Sequence, residues 1–154
     1  MFGKEPPFLA SFGKPLDSTM AAQYQGKIAD LFFFTNKGNV AHKWLHYLPI
    51  YDQVIGPYAG SKVRMLEMGV NTGGSLDIWR KLLGLDAVIF GIDIDTKCAS
   101  LNGQSGEVRI GSQDDPTFLQ SVVREMGGSI LSWTMVPILP RTSEPALTRC
   151  SPPF

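Results

Sequence analysis

The sequence has 154 residues, of which 44% are hydrophobic and 18% are charged. This composition predicts a soluble globular protein with room for one modest domain and a real core. Fourteen basic and fourteen acidic residues leave no net charge, so the composition gives no support for nucleic acid or an anionic membrane surface as a partner.

Cysteine and histidine usage argues against a disulfide framework and against a zinc site. Cys98 and Cys150 lie far apart without a CxxC motif, and the histidines are His42 and His46. No apolar stretch has the length of a membrane span, and the first residues lack the apolar region of a signal peptide. A reducing cytoplasm is the expected location.

The first part of the chain is expected to lead into a larger domain. Residues 1–19 hold three prolines among small and polar residues, which predicts a flexible arm. Residues 20–60 predict a helical lead-in, with one helix from Met20 to Phe34 and a second over His42 to Tyr51. Pro49 limits how far the second helix can run without a kink.

The second predicted helix is rich in aromatic residues. Trp44, Tyr47 and Tyr51 are spaced so that one helical face would carry all three. Such stripes usually serve burial, so core packing is favoured over contact with a ligand. His46 is a candidate catalytic base, although a lone histidine is a weak signal.

The remaining pattern is organised around the sequence KVRMLEMGVNTGGS, residues 62–75. An apolar run from Val63 to Met68, interrupted by Glu67, predicts a strand covered on both faces of a parallel sheet. A glycine-rich turn follows, and SLDIWRKLLG predicts a helix that ends at Gly84. A strand, a glycine turn and a helix in this order commonly hold a nucleotide-like ligand.

Two more strands are predicted after this unit. AVIFGIDI, residues 87–94, forms an apolar run that ends in carboxylates, and EVRIG, residues 107–111, is a shorter one. Asp115 can cap a helix that has Pro116 at its first position and that ends at Gly127. The alternation of strands and helices predicts an α/β domain over residues 61–128 with a parallel sheet of about three strands.

Residues 129–154 differ in character from the rest of the chain. They contain five of the eleven prolines and no glycine, so we expect an irregular, nonnative tail and an incomplete sheet, although SILSWTMV has strand propensity. A slip of the reading frame by one nucleotide near Gly128 would explain the change. Reading the message one base earlier changes the residues encoded around Trp133, Thr134, Met135 and Val136. The shifted frame can encode Asp-Asp-Gly there, if the Thr134 codon ends in G. A genuine proline-rich tail is the alternative.

The glycine turn is compatible with some ligands better than with others. A Walker-type phosphate site needs a lysine after the last glycine, where this chain has Ser75. A nicotinamide or flavin dinucleotide site prefers a glycine at the position of Asn71. S-adenosylmethionine has no phosphate, and the carboxylates that end the second strand suit its ribose hydroxyls.

The segments LEMGVNTGGSLDIWR, FGIDID and IGSQDDPTFL together resemble class I S-adenosylmethionine-dependent methyltransferases. The resemblance covers about residues 32–128 and is greatest to the group of macrocin-type O-methyltransferases and cephalosporin hydroxylase-like proteins. It implies a Rossmann-like methyltransferase fold and O-methylation of a small-molecule acceptor such as a sugar or secondary metabolite. In this group the fourth strand ends in a motif like DDGxH that can bind a divalent metal such as Mg, and this sequence lacks the motif.

The resemblance also implies a set of cofactor contacts. Glu67 and Gly69 match the acid and glycine beside the methionine part of the cofactor, Asp93 matches the ribose-binding acid, and Ser112 departs from the aspartate common near adenine. The candidate cofactor-binding residues are Glu67, Gly69, Asn71, Gly73, Gly74, Ser75, Asp93, Gln113 and Asp115. Asp115 is expected to be a helix cap first, and Asp95 a solvated residue.

Three functions remain open from the sequence. The first is methyl transfer from S-adenosylmethionine by a chain that holds only the donor half of the site, with little or no turnover. The second is a noncatalytic fragment that binds S-adenosylmethionine, or a pseudogene product with an exposed edge strand. The third is an NAD(P)-dependent oxidoreductase.

Overall fold

The computed structural model describes residues 9–11, 24–35, 38–128 and 131–134. Most of the predicted arm, residues 1–19, and residues 135–154 of the predicted tail lie outside the described residues. No helix in the described ranges is both long and apolar enough to cross a membrane.

The central element is a four-stranded parallel sheet. Its strands are β3 (Arg64–Met68), β4 (Val88–Asp93), β5 (Glu107–Ile110) and β6 (Leu131–Thr134), in the spatial order β5-β4-β3-β6. The pairing places Arg64 opposite Val88 and Met65 opposite Leu131. The chain therefore extends the sheet in one direction from β3 to β5 and then returns to the other side of β3.

Helices cover both faces of this sheet, as the alternating pattern predicts. Helix α3 (Gly74–Leu83) connects β3 to β4, and helix α4 (Pro116–Glu125) connects β5 to β6. The core on the α3 face contains Met65, Leu76, Trp79, Leu83, Ile89 and Val108. The core on the α4 face contains Leu66, Phe90, Ile92, Val122 and Met126. Because neighbouring residues of β3 and β4 enter different cores, both strands are apolar almost throughout.

The lead-in before the sheet packs against the α3 face. The helix predicted from Met20 to Phe34 is wrong at Tyr24–Gly26, because Gly26 has a φ of 143° and helix α1 (Lys27–Asp30) begins only after it. Helix α1 continues as a π-helical turn, Leu31–Thr35, and helix α2 (Leu48–Val54) follows later. Strand β1 (Leu9–Ser11) pairs antiparallel with β2 (His42–Trp44), so part of the predicted arm is a strand. Ile28, Phe32, Leu45, Leu48 and Tyr51 join the core on that face.

The predicted helix over His42 to Tyr51 is wrong in its first half. His42–Trp44 is a strand, Leu45–Tyr47 is a 3-10 turn, and the α-helix begins only at Leu48. Pro49 lies in the first turn of α2, where the missing N–H of proline has no helical partner to lose. Trp44 and Tyr51 therefore do not share one helical face.

The α/β fold with a Rossmann-like parallel sheet is confirmed. The three predicted strands and both sheet-covering helices form where expected, and the sheet remains small. SILSWTMV, which had strand propensity, supplies the short fourth strand β6. A 3-10 helix, Thr96–Leu101, occupies the segment that the sequence predicted as a polar loop.

Candidate functional site

The glycine turn between β3 and α3 has the backbone that its glycines predict. Gly69 and Gly73 have φ angles of 90° and 81°, and Asn71 between them has a φ of 50°. A Cβ added at Gly69 would meet no atom within 4 Å, whereas one at Gly74 would lie 2.4 Å from the backbone of Val40 and Ala41. The turn is therefore open at Gly69 and closely packed where α3 begins.

An open cleft of about 1090 Å³ lies at the carboxyl ends of β3, β4 and β5. Its lining comes from the glycine turn, the two following strand ends, the 3-10 helix and residues 38–40. The lining residues are Gly38, Asn39, Val40, Gly69, Asn71, Thr72, Ile92, Asp93, Ile94, Asp95, Lys97, Cys98, Ser100, Leu101, Gly111, Ser112, Gln113 and Asp114. This edge is where doubly wound α/β sheets bind their ligands.

The cleft contains some of the predicted site residues and not others. Of the candidates from sequence, Gly69, Asn71, Asp93 and Gln113 line the cleft, together with Asp95. Glu67, Gly73, Gly74, Ser75 and Asp115 are absent from its lining. The start of α3 is covered by the backbone of Val40 and Ala41.

Asp93 at the end of β4 holds the glycine turn through backbone hydrogen bonds. Its Oδ2 accepts from the N–H groups of Val70 and Asn71, both at 2.9 Å, and its Oδ1 accepts from the N–H of Asp95 at 2.9 Å. Partial burial, the largest single influence, acts to raise the pKa of Asp93, but the three N–H groups together hold it below its usual value. Asp93 is therefore ionised at neutral pH.

Cys98 lies beside Asp93 in the cleft wall. Its thiol donates to the carbonyl oxygen of Asn71 at a distance of 3.3 Å. Burial, and then the negative charge of Asp93, raise the pKa of Cys98 to about 11. The thiol is therefore protonated at neutral pH and serves as a hydrogen-bond donor to the turn.

Glu67 is buried behind the glycine turn and pairs with a lysine from β2. Its Oε1 lies 3.5 Å from Lys43 Nζ, and both side chains are 4% exposed. The ammonium also lies 5.5 Å from the centre of the Tyr51 ring and 5.7 Å from that of Trp79. Burial raises the pKa of Glu67, and the positive charge of Lys43 is the main influence that opposes this rise.

The second oxygen of Glu67 is less well satisfied. Among the described residues, neither Glu67 Oε2 nor Trp79 Nε1 makes a hydrogen bond of standard geometry, although both atoms are buried. The Trp79 N–H nevertheless lies close enough to the carboxylate to lower its pKa. Lys43 is thus the principal stabiliser of this buried carboxylate.

A short segment before β2 forms one wall of the cleft and is tied to the glycine turn. The N–H of Asn39 donates to Asp77 Oδ2 of α3 at 2.9 Å, and the Thr72 hydroxyl donates to the carbonyl of Val40. Asp77 also accepts from the hydroxyl of Ser105. These contacts fix residues 38–41 across the start of α3.

Asp115 caps helix α4, as the sequence predicts. Its Oδ1 accepts from the N–H of Thr117 at 2.9 Å and from that of Phe118 at 3.3 Å. Its neighbours Gln113 and Asp114 line the cleft instead. The segment after β5 therefore provides both the cap of α4 and part of the cleft wall.

Other candidates from the sequence lie away from the cleft. His46 is exposed and its ring lies 4.4 Å from that of Tyr47, while Tyr51 is buried against Trp79. Within the described ranges, no group of three or more His, Cys, Asp or Glu side chains is placed to hold a metal ion. The burial of Tyr51 agrees with the core packing favoured for the aromatic stripe.

Sequence reasoning missed several residues around this site. Lys43, Thr72, Asp77 and Cys98 have structural roles here that no motif indicated. The charged Glu67 inside an apolar strand was a signal that a buried partner exists, because a buried carboxylate needs one. The identity of that partner depends on how the lead-in packs, which local patterns do not specify.

The chain is similar in sequence to O-methyltransferases. It is 33% identical over 106 residues to mycinamicin VI 2''-O-methyltransferase from Micromonospora griseorubida, covering 62% of this chain and 24% of that protein. It is 33% identical over 91 residues to 8-demethyl-8-(2-methoxy-alpha-L-rhamnosyl)-tetracenomycin-C 3'-O-methyltransferase from Streptomyces olivaceus, covering 54% of this chain and 23% of that protein. The matched region thus spans about a quarter of the length of these curated relatives.

Other comparisons add little to this similarity. No family model matches the chain. The crystal structure of MycE methyltransferase from the mycinamycin biosynthetic pathway, in complex with Mg and SAH, aligns with a TM-score of 0.46 and 23% identity. That alignment covers 66% of this chain and 42% of the other. The sequence matches agree with the resemblance to O-methyltransferases found in the motifs.

Proposed function

We propose that this chain contains the S-adenosylmethionine-binding region of an O-methyltransferase that acts on a small-molecule acceptor. The observation that carries the proposal is the cleft at the ends of β3, β4 and β5, with the glycine turn and an ionised Asp93 at its edge. The 33% identity to two O-methyltransferases supports the same reaction class. By analogy with those relatives, the acceptor is a sugar hydroxyl of a secondary metabolite.

Asp93 is the proposed ribose ligand. An ionised carboxylate offers about four lone-pair sites, and three are used by backbone N–H groups of the turn and of Asp95. The carboxylate also lines the cleft, where a hydroxyl group of a ligand can reach it. Asp93 therefore suits one ribose hydroxyl while it keeps the turn in place.

The other proposed contacts follow from their places around the cleft. Gly69 leaves open space where a ligand can approach the backbone, and Asn71 continues the same wall. Gln113 is proposed for the adenine side, with Asp115 holding its segment by capping α4. Gly73, Gly74 and Ser75 are proposed to act by shaping the turn. The resemblance implies a place for Glu67 beside the methionine end of the cofactor, whereas its buried pairing with Lys43 points to a supporting role.

The proposed reaction is an in-line displacement. A bond forms between the acceptor oxygen and the methyl carbon while the bond from that carbon to the sulfonium sulfur breaks, and the hydroxyl proton leaves to a base. Catalysis depends on aligning donor and acceptor, often with a base or a metal that lowers the pKa of the hydroxyl. The described cleft supplies contacts for the methyl donor but no residues assigned to the acceptor, so we propose weak or absent turnover for this chain. We also propose that Mg binding in the family depends on residues outside this cleft.

The frame slip near Gly128 also remains a proposal. It would give the strand beside β3, now β6, a different sequence that ends in Asp-Asp-Gly, where the group resembled by this chain has its acidic motif. Sequencing of the gene tests it directly. A Thr134 codon that ends in any base other than G removes the Asp-Asp-Gly reading.

Calorimetric titration of the full chain with S-adenosylhomocysteine tests the donor site. We expect one site with submillimolar affinity on a monomeric chain that melts cooperatively, and no competition from NAD. Preference for NAD would favour the oxidoreductase, and a lack of binding by a folded chain would reject the cofactor site. Binding with detectable methyl transfer to a sugar acceptor would reject the noncatalytic fragment.

A further inference from the structure

The cleft wall formed by residues 38–40 belongs to a longer segment, residues 38–44, which we call the strap. The strap runs from the cleft, past the start of α3, into strand β2. Its first half is attached through Asn39 to Asp77 and through Val40 to Thr72. Its second half carries Lys43, whose ammonium is buried beside Glu67.

We infer that Glu67 is a positioning residue that anchors the strap through Lys43, and that it is not itself a ligand of the cofactor. The inference rests on the proposed function, because the strap matters as a wall of the proposed cofactor cleft. Glu67 is 3% exposed and absent from the cleft lining, whereas residues of the strap line the cleft directly. Glu67 therefore does not line the cleft itself, and through Lys43 it is connected to a segment that does.

The environment of Lys43 shows why this attachment is specific. The ammonium lies near two aromatic rings, those of Tyr51 and Trp79, and near the Glu67 carboxylate. Aromatic rings attract a desolvated cation but do not replace the water it has lost, so the carboxylate is needed as well. Removing either charge leaves the other buried without a counter-charge.

The close packing of the strap makes its position sensitive to this pair. The backbone of Val40 and Ala41 lies so near Gly74 that a Cβ there would be 2.4 Å away. A strap that moves to hydrate an unpaired charge at Lys43 or Glu67 would give up this contact and change the cleft wall. The apparent cofactor affinity would then be the intrinsic affinity multiplied by the fraction of molecules that keep the strap in place.

A double-mutant cycle in the full chain separates an anchor from a ligand. We expect Lys43→Met and Glu67→Met each to weaken S-adenosylhomocysteine binding about tenfold, as if nine in ten molecules had a displaced strap. The affinity of the double variant for S-adenosylhomocysteine should be within about threefold of the wild-type affinity, because replacing both partners leaves no unpaired charge. Lys62→Met, which breaks an exposed pair with Asp86, is the matched control and should bind normally.

Hydrogen exchange at the amides of Asn39 and Ala41 provides a readout without cofactor. Exchange should be faster in both single variants and return toward the wild-type rate in the double variant. A folded double variant that binds as weakly as Glu67→Met, or a Glu67→Met variant that loses binding with unchanged strap exchange, would overturn the inference. If the wild type fails to bind S-adenosylhomocysteine, the proposed function fails, while the exchange rates still decide whether the pair anchors the strap.

Discussion

At the scale of single residues, Asp93 shows how one side chain can serve both the fold and the site. Its carboxylate accepts from Val70, Asn71 and Asp95, so an ionised Asp93 stabilises the glycine turn. Its folded-state pKa is below the unfolded value of about 3.9. The stabilisation is therefore complete above that pH and is lost as the pH falls through the folded-state pKa.

Asp93→Asn should lower the free energy of unfolding most at neutral pH. The difference from the wild type should shrink below about pH 4, because Asp93 then binds a proton in the unfolded chain and, at lower pH, in the folded protein as well. Urea unfolding between pH 7 and pH 3 measures this difference. Asp86→Asn, at an exposed ion pair, should change stability little at any of these pH values, and a pH-independent effect of Asp93→Asn would contradict the assigned role.

Substitutions at Gln113 and Asp115 should have different effects, the first mainly on cofactor affinity and the second mainly on the free energy of unfolding, although the residues are two positions apart. Gln113→Ala should weaken S-adenosylhomocysteine binding about fivefold through loss of a neutral hydrogen bond, with stability almost unchanged. Asp115→Ala removes the cap of α4 and should cost about 1 kcal/mol of unfolding free energy, with a smaller loss of affinity than Gln113→Ala causes. Titration calorimetry and urea unfolding of both variants would show the contrast, and the reverse pattern would place adenine nearer Asp115.

At the scale of elements, the contact between the strap and α3 depends on Gly74. Gly74→Ala should destabilise the protein by about 2 kcal/mol, because the new Cβ would overlap the backbone of Val40 and Ala41. Gly56→Ala is the control, since its nearest atom would be Asp52 Oδ1 at 3.8 Å. Thermal unfolding compares the two, and equal losses would mean that the strap can shift at no cost.

The elements also show what the sequence could and could not predict. Strands β3 to β5 and helices α3 and α4 were predictable because their apolar spacing, glycines and the Asp115 cap are local signals. β2 was not, because its extended form depends on pairing with Leu9–Ser11 far along the chain. In the site, the positions of Asp93 and Gly69 at the ends of their strands were predictable from the motif. The burial of Lys43 beside Glu67 was not, because it depends on the tertiary packing of the lead-in.

At the scale of the whole molecule, the short strand β6 protects the sheet. It pairs with β3 from Met65 to Met68, so its removal would turn an apolar central strand into an edge. Deletion of residues 129–154 should therefore cause self-association, which light scattering would detect. Deletion of residues 136–154 keeps β6 and should leave the oligomeric state of the full chain unchanged. Equal behaviour of the two truncated proteins would mean that β6 does not protect the sheet.

The position of β6 in the chain also affects the order in which the protein can fold. β3 can pair with β4 soon after Val88 leaves the ribosome, but its other side has no partner until Leu131 has been made. Closing this longer loop costs more chain entropy, so we expect β6 to join last and slowly. During synthesis, the strand that leads into the glycine turn therefore has one unpaired edge until the residues of β6 have been made.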